Sequence, residues 1–146
     1  MYHSLLPLLG WMTTLAVALL AWFRGGLPER YGALVLVGAG LAVLVSHILL
    51  PPRGAGLALL AIDAFMAVGF LALAIRYASL WIGAAMLLQA GQFSLHAWYL
   101  VSGMDRDRFY AIANNLVTIG ILVCILVGTL ISWRRRNKAE AAAQAA

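Results

Sequence analysis

Ionisable and amide side chains inside apolar runs are where this chain could do chemistry, because hydrocarbon penalises them and they normally face a bundle interior. Asp63 is the one formal charge inside such a run, and His47, Gln89, Gln92, His96, Asn114 and Asn115 are its polar counterparts. Gln89, Gln92 and His96 stand at i, i+3 and i+7, a spacing that puts all three on one face of a helix. Asn114 and Thr118, at i and i+4, extend a second polar stripe. Counted from the ends of their runs at 1.5 Å per residue, His47 lies about 5 Å deep, His96 and Asn114–Asn115 about 7 Å, Asp63 about 9 Å and Gln92 about 13 Å. Residues from four runs therefore occupy one slab. A carboxyl and an imidazole meeting there could exchange a proton and pass it along Gln and Asn hydrogen bonds. The plainer reading is helix–helix glue, worth about 0.6 kcal/mol for each group. A third has His47 and His96 as axial ligands of haem b, or joined by Asp63 around a metal ion. No helical His pair at metal spacing supports it, so no cofactor is favoured. His3, near the N-terminus, reads as a solvated residue.

The elements that must position these groups follow from the composition. Of 146 residues, 64% are apolar and 10% charged, with a mean hydropathy of +0.95; an ordinary soluble domain is about 25% charged. That excludes a soluble globular protein and leaves no room for a separate enzymatic domain. Apolar runs at 4–23, 32–50, 57–75, 79–101 and 109–132 each match the roughly 20 residues needed to cross about 30 Å of hydrocarbon. Arg76 alone interrupts residues 57–101. As a single helix that stretch would be about 67 Å long, so two spans and a tight turn are required there. The first run lacks a basic leader and a small-residue cleavage site, and reads as a retained helix. The expected fold is all-α: a polytopic integral membrane protein with five transmembrane helices in one domain, 1–132. A basic juxtamembrane segment and Ala-rich tail, 133–146, follow, with residues 139–146 either extending the last helix or disordered.

The net charge of +5 does not indicate nucleic acid, because Arg134, Arg135 and Arg136 directly follow an apolar run. With Lys138 they suit anionic lipid headgroups. Arg24, Arg30, Arg76, Arg134, Arg135, Arg136 and Lys138 fall on one side of a five-span topology, and Arg53, Arg106 and Arg108 on the other. This seven-to-three bias puts the C-terminus in the cytoplasm and the N-terminus outside. Trp22, Phe23, Tyr31, Tyr77, Trp81 and Trp133 at the inner ends, and Tyr2, Trp98, Tyr99, Phe109 and Tyr110 at the outer ends, form the expected aromatic belts. Gly120, Cys124 and Gly128 make a small-residue ridge that suits close helix packing, within the chain or against another subunit. Gly38, Gly40, Gly83 and Gly91 likewise suggest tight crossings. The single cysteine excludes an internal disulfide. In the connection from Arg24 to Arg30, two glycines end a helix, Pro28 starts the next, and Glu29 is expected to pair with a neighbouring arginine.

The segments Trp22-Phe23-Arg24-Gly25-Gly26 and Pro28-Glu29-Arg30, followed by Asp63 in an Ala/Leu-rich span, resemble those of small multi-span inner-membrane proteins of α-proteobacteria. The resemblance covers about the first half of the chain. It implies a bacterial inner-membrane location and transfers no catalytic residue. With no nucleophile–base–orienter set and no nucleotide-binding loop, the residues point to a subunit or accessory partner of a membrane complex, or a homo-oligomer, rather than an enzyme. The alternative is a proton- or ion-handling protein, or a haem- or metal-binding one, built on the same polar cluster. A lipid-binding chaperone would need a lateral opening.

Overall fold

The computed structural model describes residues 5–145, so His3 and Tyr2 lie outside the described residues. Among these residues the chain forms five helices: α1 (Leu5–Arg24), α2 (Leu27–Leu49), α3 (Pro52–Tyr77), α4 (Leu80–Ser102) and α5 (Arg108–Gln144). The connections are shorter than the polar breaks suggest. Glu29 reaches back to accept the Gly26 backbone N–H at 2.8 Å. That capping interaction starts α2 at Leu27, so Pro28, Glu29 and Arg30 belong to its first turn. Pro52 opens α3, where its missing N–H costs nothing. α3 ends on Ala78 in the left-handed region (φ 46°), and its N–H bonds the Ala74 carbonyl at 2.9 Å. Only the α4–α5 connection, residues 103–107, is longer than two residues. α5 runs unbroken through the arginine cluster to Gln144.

Among the described residues, three helices, α2, α3 from Gly54, and α5, are long and apolar enough to cross a membrane. α4 equals α2 in length, at 23 residues each, but Gln89, Gln92 and His96 lower its hydropathy. α1 spans 20 residues, Leu5–Arg24, with Arg24 its only charged residue. The chain is an all-helical bundle, and its outward surface is rich in exposed Leu, Ile, Val and Phe suited to lipid contact.

Each helix packs on its sequence neighbours, α5 closes on α1, and α2 also reaches α5. The interior is filled at the end that carries Arg24 and Trp133. There Trp81 is 8% exposed and lies between two glycines. A Cβ on Gly128 would sit 2.5 Å from its Nε1, and one on Gly32 would sit 3.2 Å from its Cη2. α2 and α5 can approach this α4 indole only because neither contact position carries a side chain. Trp81 is thus an interior residue and not a belt anchor, as is Tyr99, 7% exposed. Trp81 Nε1 donates to Glu29 Oε1 at 3.2 Å, so the buried Glu29 carboxylate is held by an indole and a backbone amide instead of an arginine.

The small-residue ridge on α5 is used inside the chain. Gly120 faces Leu88, Gly128 faces Trp81, and half-buried Cys124 packs against the core. Gly40 abuts Trp11, whereas Gly38, Gly83 and Gly91 have open space where a Cβ would be and mark no crossing within the chain. Arg24 stacks on Trp133 at 4.7 Å, Arg30 lies 5.8 Å over Trp22, and Arg136 donates to the Arg24 carbonyl. These contacts gather the basic residues of α1, α2 and α5 at one end.

Candidate functional site

At the opposite end the helices enclose a polar network. α3 supplies Asp63, α4 supplies Gln89, Gln92 and His96 from one face, and α5 supplies Asn114. Asp63 is 4% exposed, His96 8% and Gln89 0%. His96 Nδ1 bonds Asp63 Oδ2, and Gln89 Nε2 donates to Asp63 Oδ1 at 3.1 Å. On its other side, His96 Nε2 meets Asn114 Oδ1 at 3.1 Å, and Gln92 Nε2 donates to the same oxygen at 3.1 Å. The hydroxyl of Thr118 donates to the Asn114 carbonyl at 3.0 Å, one turn back on α5. Gln89, Asp63, His96, Asn114 and Gln92 thus form one hydrogen-bonded chain across three helices.

The polarity of these bonds fixes a proton count. An amide oxygen only accepts, so Nε2 of His96 carries a hydrogen when it faces Asn114 Oδ1. Nδ1 and Asp63 Oδ2 then share a second proton. Whether that proton sits on the ring or on the carboxyl, the pair holds two protons and is neutral overall. If Asn114 turns its amide over, its NH₂ can donate to Nε2 and to a turned Gln92 together. His96 then becomes neutral beside an anionic Asp63, and one proton has left. The two hydrogen-bond patterns thus differ by one proton and by the rotation of two side-chain amides.

The network borders a cavity of about 740 Å³ whose walls come from all five helices. His47 and Asn115 also line it, but both are exposed at its rim, and neither is hydrogen-bonded to Asp63 or His96. Of the two adjacent asparagines, helix rotation therefore selects Asn114. Ligation by His47 and His96 does not fit this arrangement. Both ring nitrogens of His96 are engaged, His47 stands apart, and among the described residues no three His, Cys, Asp or Glu side chains gather around a common point.

The α4–α5 connection positions the rim. Asp107 caps α5 by accepting the Tyr110 backbone N–H at 2.8 Å and the Tyr99 hydroxyl at 2.7 Å. The Tyr110 N–H first, and the Tyr99 hydroxyl second, hold the Asp107 carboxyl below the usual carboxylate range. This cap sets the Tyr110 ring 5.2 Å from that of His96 and places Arg106 over Tyr110 at 5.4 Å. Sequence reasoning missed Asp107 and Tyr110 as supports of the site, although an Asp three residues before a helical Tyr is a legible N-cap pattern. Glu29 three residues after Gly26 was equally legible as a cap. No family model, curated protein or solved structure matches the chain.

Proposed function

We propose that the protein exchanges protons at the Asp63–His96 pair, within a five-span fold in the bacterial inner membrane. The observation that carries this reading is the buried pair itself, a carboxyl and an imidazole bonded to each other and flanked by amides on both sides. Five spans are supported by the placement of the residues that make α4 polar: Gln89 and His96 are buried and Gln92 half-buried, so its lipid-facing side remains apolar. In this reading α1, with 20 residues, also crosses. The basic end carries Arg24, Arg30 and the Arg134–Lys138 cluster and faces the cytoplasm, which leaves the cavity on the outer side. The chain then works as the proton-handling subunit or accessory partner of a membrane assembly, or of a homo-oligomer, and not as a stand-alone enzyme.

Infrared spectra of the protein in lipid nanodiscs, recorded across a pH series, test the proposal. A pH-dependent band of the Asp63 carboxyl or of the His96 ring that is missing in Asp63→Asn is the expected result. Spectra in which neither group changes between pH 4 and pH 10 would overturn it. For the assembly part, native mass in mild detergent should exceed the 15.7 kDa protomer, and a purely monomeric extract would remove that part alone.

A further inference from the structure

The cavity beside Asp63 has walls that open sideways. Leu9, Gly10 and Thr13 on α1, and Asn115 and Ile119 on α5, line the cavity and are at the same time exposed. α1 and α5 meet at the basic end, through Arg24, Trp133 and Arg136, and toward this one both border the cavity. Ile119 stands eleven residues into α5, about 16 Å from its first residue. In a spanning helix that depth is hydrocarbon, so the opening faces lipid chains rather than water alone.

Three observations narrow what would enter. Most of the lining surface is apolar, with Leu36, Val43, Met66 and Trp11 among its contributors. The Asp63–His96 pair is neutral in its two-proton form, and the other charged side chain at the cavity, Arg106, is exposed and lies over the Tyr110 ring, so the interior offers a cation no net counter-charge. At the cavity wall the Gln89 side chain is fully buried, and its Oε1 has no hydrogen-bond partner while its Nε2 is committed to Asp63. An unpartnered buried acceptor costs about 1–3 kcal/mol, and a ligand donor would relieve that cost.

From these we infer that the cavity binds a neutral, membrane-borne amphiphile, a lipid-soluble alcohol or phenol, which enters between α1 and α5 and donates its hydroxyl to Gln89 Oε1. The inference rests on the proposed function only in taking the helices as membrane-spanning. A charged amine would lose hydration without gaining a net counter-charge, and an ether or hydrocarbon would leave Gln89 unsatisfied.

Thermal unfolding of the protein in phosphatidylcholine nanodiscs, titrated with 4-octylphenol, 4-octylanisole or dodecylammonium, tests this, because a bound ligand raises the melting temperature in proportion to its occupancy. The phenol should bind about tenfold tighter than its methyl ether, the weight of one hydrogen bond. Gly10→Phe, at a position with open space around it, should plug the opening and abolish that preference while leaving the unliganded melting temperature unchanged. Gln89→Met should do the same if it folds, and Gly10→Phe keeps the test decisive if it does not. Equal binding of phenol and ether by the unmodified protein, a preference that survives Gly10→Phe, or tighter binding of dodecylammonium would each overturn the inference. A pH-dependent Asp63 or His96 band without phenol binding would remove the ligand and keep the proton site; the converse result would remove the proton site and keep the ligand.

Discussion

His96 is hydrogen-bonded on both sides, to the Asp63 carboxyl and to the Asn114 amide oxygen, and that position makes its substitutions informative. Truncating it leaves Asp63 buried without its principal donor, and truncating Asp63 strands the imidazole. His96→Ala and Asp63→Ala should each destabilise the protein by about 3–5 kcal/mol, measured by thermal or denaturant unfolding in nanodiscs. The double variant should cost clearly less than the sum, because neither charge is then stranded; additive losses would show that the pair is not a unit. Asn114 is the finer probe. Asn114→Leu removes the oxygen that accepts from both His96 Nε2 and Gln92 Nε2 and should cost about 1–3 kcal/mol in the same unfolding measurement; an unchanged melting temperature would show that this amide does not tie the imidazole to α5.

Helix ends and helix contacts carry the next set of expectations. Gly128 lies against a rigid indole that cannot swing away, so Gly128→Val should part α4 from α5 and cost about 2 kcal/mol or more. The same change at Gly83, where nothing lies within 4 Å, should leave the melting temperature unchanged. Ala78 occupies the left-handed region, which costs a residue with a Cβ about 1 kcal/mol. Ala78→Gly should therefore raise stability by about 0.5–1 kcal/mol. Asp107 adds a pH term of known sign. Its folded carboxyl lies below its unfolded range, so its contribution is complete above about pH 4 and is lost as the pH falls through the depressed folded value. Asp107→Ala should melt earlier than the unmodified protein at pH 7, and the two should converge in acid. The residue pattern exposed some of these features and hid others. The face shared by Gln89, Gln92 and His96 follows from helical spacing, and Asp63 stands out as a charge in an apolar run. Choosing Asn114 over Asn115, and excluding His47, required the rotation of α5 and α2 about their axes, which a polar stripe one residue wide does not specify. Trp81 was misassigned because a tryptophan near a helix end has the same sequence signature whether it faces headgroups or two glycines on neighbouring helices.

The whole molecule is asymmetric from end to end. At the basic end, Trp81, Glu29 and the glycines around them fill the interior; at the other, the same five helices border a polar-floored cavity. Such an arrangement gives the Asp63–His96 pair access from one side only, provided every helix crosses the bilayer. The weak link in that topology is α4, for its buried polar face. Single cysteines in a Cys124→Ala background decide the matter. Met104, 49% exposed in the α4–α5 connection, and Leu80, 95% exposed at the start of α4, should lie on opposite faces of the membrane if α4 crosses. An impermeant maleimide applied to intact cells should label Met104→Cys at once, and label Leu80→Cys and Ala142→Cys only after lysis. If Met104→Cys and Leu80→Cys react from the same side, α4 does not cross. Its polar face would then lie along the surface with Asp63 open to water, and the sealed end would have no membrane to seal. If all three behave as expected, the seven basic residues lie in the cytoplasm and the cavity opens on the outer half of the bilayer. A proton taken up by His96 then comes from outside, and its release toward the basic end is blocked by Trp81.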